Sequence, residues 1–250
     1  MKGIVLLEVN KIYNEDCLMG LKKISDKSID LVVIDPPYDI CTKGGKKGSG
    51  RLCKDLTKLE NELKANNLVN GYDLAILDEL IRVMKEINIY IWCNGRQIPT
   101  YIKYFVDKLE CKLEIIIWGK TNPMPLYNNK YLGDKEYCLY FRKKGYCKPN
   151  SYEDAKTIYL STLNVKDKQK YGHPTIKPLP LIRKLIRNSS KENEIVLDCF
   201  IGSGTTAVAC LLENRKFIGF EINKKYYDIA NRRISEFIKE ECSYEDKENI

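Results

Sequence analysis

Three short apolar runs, each closed by an acidic residue, set the pattern of this chain. They are Leu31-Val32-Val33-Ile34 before Asp35, Ile195-Val196-Leu197 before Asp198, and Phe217-Ile218-Gly219-Phe220 before Glu221. Runs of that length without polar alternation predict strands buried on both faces. Further strands are predicted over 88–93, 113–118 and 136–141, with a short one near 12. Helical spacing predicts helices over 73–86, 98–108, 179–188, 205–214 and 224–238. The first of these opens at Asp73 and repeats apolar residues at Leu74, Leu77, Leu80 and Ile81. Strands alternating with helices argue for an α/β fold, a doubly wound and mostly parallel sheet covered on both faces. No internal repeat interrupts it.

Two of the strand ends carry chemistry. At the first, Asp35-Pro36-Pro37-Tyr38 follows the apolar run directly. Proline fixes φ and pushes the preceding residue out of the helical region, so the chain turns rigidly there. An acid, a main-chain carbonyl without a neighbouring N–H, and an aromatic ring are thereby gathered at one strand tip. Such a tip can grip a planar amine: Asp35 and the Pro36 carbonyl accept its N–H groups while Tyr38 covers the ring face. Taken alone, the tetrapeptide reads more readily as a strand followed by a Pro-stabilised turn, and it is the sequence near position 200 that reverses this. At the second, Asp198-Cys199-Phe200-Ile201-Gly202-Ser203-Gly204-Thr205-Thr206 reads as strand, glycine turn and helix start. Glycines permit tight backbone geometry and close ligand approach, and a helix N-terminus offers free N–H groups. The stretch is not a phosphate-binding P-loop, because no Gly-Lys-Ser/Thr follows. Glu221, one strand later, stands where doubly wound nucleotide-binding sheets hold ribose hydroxyls.

These motifs, in this order, resemble the DNA amino-methyltransferases, which use S-adenosylmethionine to methylate exocyclic nitrogens of adenine or cytosine. The chain looks like the permuted subgroup, in which the Asp-Pro-Pro-Tyr motif precedes the glycine-rich one. Gly172-His173-Pro174-Thr175-Ile176-Lys177-Pro178 resembles the stretch leading into the cofactor half, and Asn14-Glu15-Asp16-Cys17-Leu18 resembles the acidic turn at the cofactor adenine. The resemblance covers about residues 10 to 235 without departure in the core motifs. It implies a Rossmann-like methyltransferase sheet with one antiparallel edge strand, for which 136–141 is the candidate. It implies S-adenosylmethionine as the cofactor, with no metal. Asp35, Pro36, Pro37 and Tyr38 are the expected catalytic residues. Asp16, Cys17, Asp35, His173, Thr175, Lys177, Asp198, Phe200, Gly202, Ser203, Gly204, Thr205, Thr206 and Glu221 are the expected cofactor residues. Within that set Asp16 is assigned to the adenine, Glu221 to the ribose, Asp198 to the glycine turn and the methionine amine, and Lys177 to the methionine carboxylate or a loop cap. His173 is expected to be structural. Because Asp leads the motif, adenine N6 is the expected target and cytosine N4 the alternative.

Composition changes this picture little. A chain of 250 residues suffices for one α/β domain, expected over 1–240 and followed by a frayed acidic tail at 241–250. A formal net charge of +8 suits a polyanionic partner such as double-stranded DNA, though a Lys-rich solvated surface explains it too. No stretch approaches eighteen apolar residues and the N-terminus lacks a signal-peptide pattern. A soluble, cytoplasmic protein of a prokaryote or phage is therefore expected, with no membrane partner. Ten cysteines without a CxxC pair, beside one histidine, read as reduced and mostly buried thiols. A homodimer is expected from the resemblance alone, and a cognate restriction endonuclease is a further candidate partner.

Two segments depart from the alternation. Residues 41–58, the glycine-rich part of a basic loop region extending to 72, carry Lys43, Lys46, Lys47, Arg51, Lys54 and Lys58. This composition predicts a mobile basic loop beside the strand tip that orders on DNA phosphates; a solvated linker is the alternative. Residues 121–172 form the candidate target-recognition insert, with Tyr127, Asn128 and Lys130 as candidate DNA contacts; a polar connection is the alternative. Methylation of an RNA base, and a non-catalytic binding subunit, are functions of other classes compatible with parts of the pattern.

Overall fold

The structure is a computed structural model that describes residues 7–39, 61, 71–125, 127, 129–173 and 175–248, with side chains described through 239. Lys43, Lys46, Lys47, Arg51 and Asn128 lie outside the described residues. Among those described, eight strands form one sheet: β1 (Lys11–Tyr13), β2 (Leu31–Ile34), β3 (Ile87–Cys93), β4 (Lys112–Lys120), β5 (Lys135–Lys143), β6 (Ile158–Ser161), β7 (Ile195–Asp198) and β8 (Lys216–Phe220). Their order is β1-β8-β7-β2-β3-β5-β4-β6. The helices are α1 (Cys17–Leu21), α2 (Ala75–Val83), α3 (Ile98–Ile102, running on as a π turn over Lys103–Lys108), α4 (Tyr152–Ala155), α5 (Val165–Tyr171), α6 (Leu179–Ser189), α7 (Thr205–Leu212) and α8 (Lys224–Glu248).

The apolar runs build two cores by the period of two. In β2, Val32 and Ile34 face one side with α2 residues Ile76, Leu77 and Leu80, while Leu31 and Val33 face the other with Leu185 and Ile186 of α6 and Ala209 of α7. In β3 the same alternation sends Ile89 and Ile91 one way and Tyr90 and Trp92 the other. Residues flanked by apolar layers on both faces have no polar positions to alternate, which is why these strands read as unbroken runs.

Every neighbouring pair is parallel except those made by β5, which is antiparallel to both β3 and β4. The antiparallel strand is thus the expected one, but it lies inside the sheet, with β4 and β6 beyond it. Among the described residues the β4–β5 connection carries no helix, the usual crossover of a parallel pair, and the chain returns directly. The 121–172 segment therefore contributes two strands to the sheet, β5 and β6, with α4 between them and α5 after β6. β6 has no counterpart in the sequence reading because Ile158 and Leu160 alternate with half-buried residues over only four positions. The last helix also differs, continuing through Glu248 where the sequence suggests an end at 238 and a frayed tail. Its Glu- and Lys-rich end has good helix propensity, which outweighs the lack of an apolar stripe. Among the described residues no helix is long and apolar enough to cross a membrane.

Candidate active site

The strands β8, β7 and β2 lie side by side and parallel, so their carboxyl ends share one rim of the sheet. From β7 the chain crosses to β8 on one side, and from β2 it crosses to β3 on the other. The crevice between β7 and β2 is thus the switch point where doubly wound sheets bind ligands. Asp35, Asp198 and Glu221 stand on its rim, each one step past or at the end of its apolar run.

At the β2 end both oxygens of Asp35 are engaged. Tyr38 Oη donates to Oδ1 at 3.0 Å, and the Lys177 ammonium pairs with Oδ2. The turn itself is held from β3's far end, where Asn94 donates to the Asp39 carbonyl (2.8 Å) and Gln97 to that of Pro37 (3.4 Å). Burial pushes the Asp35 carboxyl above the usual range, Lys177 opposes that rise, and Glu136 adds to it.

The glycine turn is built from the other half of the chain. Asp198 is buried and its Oδ1 accepts the Phe200 N–H at 3.0 Å. Burial, with lesser contributions from Asp35 and Glu221, raises its carboxyl to about 7. Gly202 and Gly204 have φ of +51° and +79°, and a Cβ at Gly204 would stand 3.1 Å from the Ala230 Cβ. No side chain fits there without displacing α8. Glu221 ties the turn to β8: one oxygen accepts from Gly202 N–H (2.9 Å) and the other from Asn223 N–H (2.8 Å). Asp16 caps α1 by accepting from Met19 N–H at 3.1 Å. His173 packs against Tyr226 with the rings tilted by 56° and their centroids 4.3 Å apart, and its Nδ1 accepts the Thr175 N–H. Burial, then the neighbouring Lys177, lowers its pKa to about 4, so the ring is neutral with its proton on Nε2 facing Gly202.

A cavity of about 410 Å³ opens where these parts meet. Asp16, Cys17, Asp35, His173, Thr175, Lys177, Asp198, Phe200, Gly202, Ser203, Thr205, Thr206 and Glu221 all line it, and Gly204 alone of the nominated cofactor residues lies behind the wall. Lys177 lines the cavity at its β2 end, where its ammonium bonds Asp35 and Glu136. Tyr127 and Lys130 are exposed and away from this wall.

Three contributors escaped the sequence reading. Glu136, at the start of β5, ties Lys177 and Lys120. Trp92, at the end of β3, lies under the Lys177 ammonium, 5.0 Å from its ring centroid. Arg233 of α8 is buried and donates to Thr205 Oγ1 (2.9 Å) and Ser203 O (3.3 Å). Arg233 left a signal: Tyr226, Ala230 and Arg233 follow i, i+4, i+7 spacing, so a cation lies on an otherwise apolar helix face.

A switch-point cavity with an acid-Pro-Pro-Tyr tip on one strand and an acid-glycine turn on its neighbour defines a nucleotide-cofactor transferase of the doubly wound class. Comparison with known proteins narrows this. A profile described as DNA methylase, of the N6/N4 type, matches residues 29–232. The chain is 31% identical to the type II methyltransferase M.HinfI of Haemophilus influenzae, across 91% of this chain and 69% of that one. It is 29% identical to M2.LlaDCHI of Lactococcus lactis subsp. cremoris, across 90% and 88%. Among solved structures, that of M1.HpyAVI with SAM superposes with a TM-score of 0.63 at 27% identity, covering 90% of this chain and 98% of that one. The cytosine-N4-specific PvuII DNA methyltransferase shares the fold, with a TM-score of 0.63 at 18% identity and 88% and 84% coverage. The chain belongs to the N6/N4 DNA methylase family and is a DNA methyltransferase.

Proposed function

We propose that the protein transfers a methyl group from S-adenosylmethionine to the exocyclic N6 of an adenine turned out of duplex DNA. The observation that carries this reading is the opening of Asp35 and of the acidic cofactor-side residues onto a single cavity. The wall suits that cofactor. Asp16, Asp35, Asp73, Asp198 and Glu221 line it against one ammonium among the described residues, Lys177, which favours a ligand of net positive charge. Glu221 would hold the ribose, Asp16 the adenine, and Asp198 the methionine ammonium. When bound, S-adenosylmethionine supplies an electrophilic methyl on a sulfonium sulfur.

The protein's part is positioning and charge stabilisation. An exocyclic amine is a poor nucleophile because its lone pair is delocalised into the ring. Asp35 and the Pro36 carbonyl, accepting its two N–H groups, favour a pyramidal nitrogen with the lone pair turned outward. Acceptors fixed where positive charge develops stabilise the transition state more than the ground state. The positive charge that would develop on the nitrogen as it takes up the methyl would lie beside the Asp35 carboxylate, and the proton then lost would pass to solvent. Tyr38 stands beside the carboxylate as the surface on which the extruded base stacks. Lys43, Lys46, Lys47 and Arg51 are proposed phosphate contacts, with Tyr127, Asn128 and Lys130 as further DNA contacts.

Incubating the protein with S-adenosylmethionine and unmethylated DNA, followed by nucleoside mass spectrometry, tests the target. N6-methyladenine is the expected product. N4-methylcytosine would retain the chemistry and overturn the adenine assignment. Asp35→Ala is expected to abolish transfer while cofactor binding, followed by calorimetry, stays within a few-fold.

A further inference from the structure

Asp35 presents a difficulty to the reading just given, because each of its oxygens already accepts a donor that an incoming amine must share or displace. Tyr38 holds one and Lys177 the other. Lys177 cannot simply let go. Its side chain is 7% exposed, and a buried ammonium stripped of its partner is strongly destabilising. A second partner is in place, however. Glu136 Oε2 lies 3.2 Å from the same ammonium, and Tyr38 Oη lies 3.5 Å from that oxygen. The two groups that occupy Asp35 are therefore the two that Glu136 can receive.

Glu136 is held ready from behind. Its other oxygen pairs with Lys120 of β4 at 2.7 Å, and Lys168 of α5 faces it as well. Despite burial, Lys177 and Lys120 hold its carboxyl down at about 2. Its charge is thus present at any working pH. Its position is set by the antiparallel strand β5, where it stands opposite Trp118 of β4.

We propose that Glu136 is a positioning residue of the transfer reaction: it takes the Lys177 ammonium when the target amine takes an oxygen of Asp35. The relay lets a buried carboxylate change partners without stranding a buried cation. This rests on the amine binding at Asp35, and the test separates the two ideas.

Glu136→Gln keeps the shape and removes the charge, so Lys177 keeps Asp35 as its one strong acceptor. Turnover at saturating DNA and S-adenosylmethionine is expected to fall by ten- to a hundredfold. The Kd for S-adenosylmethionine and the KM for DNA should stay within about twofold. Glu136→Asp, which keeps the charge one methylene further back, should recover part of the loss.

The pH profile shows whether the Glu136 charge bears on Asp35, and the loss confined to kcat, with its partial rescue in Glu136→Asp, separates the relay from a scaffold role. The groups around Asp35 are Lys177, Glu136, Tyr38, Cys93, Tyr101, Cys138 and Asp198. Of these, Glu136 is an anion that raises Asp35. Its removal should move the acidic limb of kcat to lower pH in Glu136→Gln and leave it in place in Glu136→Asp. Wild-type kcat in Glu136→Gln, with Asp35→Ala inactive, would overturn the relay and leave the Asp35 reading intact. Equal losses in kcat, cofactor affinity and thermal stability would also overturn it, in favour of a scaffold role. Activity in Asp35→Ala would overturn both.

Discussion

With its carboxyl raised to about 7, Asp198 is about half protonated at neutral pH. A cationic ligand binds its ionised form, so S-adenosylmethionine affinity should weaken as pH falls below 7, approaching tenfold per unit. Calorimetry across pH 5.5 to 8 checks this, and Asp198→Asn should flatten the dependence. His173 acts on stability instead. Folded, it takes a proton only near 4, whereas an unfolded histidine takes one near 6.5. The unfolded chain therefore binds more protons between those values, so the histidine's contribution is complete above 6.5 and lost as pH falls toward 4. The loss is roughly 3 kcal/mol. Melting curves of the wild type and His173→Gln should converge on acidification through that window. Asp35, Asp198 and Glu221 were legible because each closes an apolar run, where a charge has no reason to sit unless the strand ends at a site. Glu136 was not, since one carboxylate at a strand start is also what a solvated edge looks like. Lys177 was legible as a motif residue, yet its partners come from β2 and β5, which no spacing along the chain reveals.

At the scale of elements, α8 secures the glycine turn. Arg233 reaches from it to Ser203 and Thr205, and its guanidinium lies 4.6 Å from the centroid of Tyr171 at the end of α5. Arg233→Met would leave those turn acceptors without their charged donor. A loss of about 2 kcal/mol in stability is expected from thermal or denaturant unfolding, together with weaker cofactor binding. Elements with one strong rhythm were readable in the sequence: β2, β3 and β7 by unbroken apolar runs, α2 and α6 by helical spacing. Those whose rhythm is weak were not. β6 has four residues and a half-exposed pattern, and α5 buries none of its own residues. The far end of α8 follows helix propensity and so runs past the point where its apolar positions stop.

For the whole molecule, the charge of +8 bears on the DNA partner. Each phosphate neutralised adds about 0.9 to the slope of log affinity against log salt. Replacing Lys43, Lys46, Lys47 and Arg51 by Gln should flatten that slope by about 3 to 4 units if all four make such contacts. An unchanged slope in filter-binding or anisotropy titrations would remove them from the interface. The layered sheet was legible because alternation of strand and helix forces crossovers, whereas the place of β5 inside it depends on long-range pairing. The strand order also carries a consequence for synthesis on the ribosome. β1 and β2 emerge early, but the two strands that lie between them in the sheet, β8 and β7, emerge last. Until residues beyond 195 are free, the growing chain holds two unpaired strand edges and only half of its ligand wall. Such edges attract other chains. The growing chain therefore exposes these edges through most of its synthesis, and a premature stop before β7 should yield aggregate, not a partly active fragment.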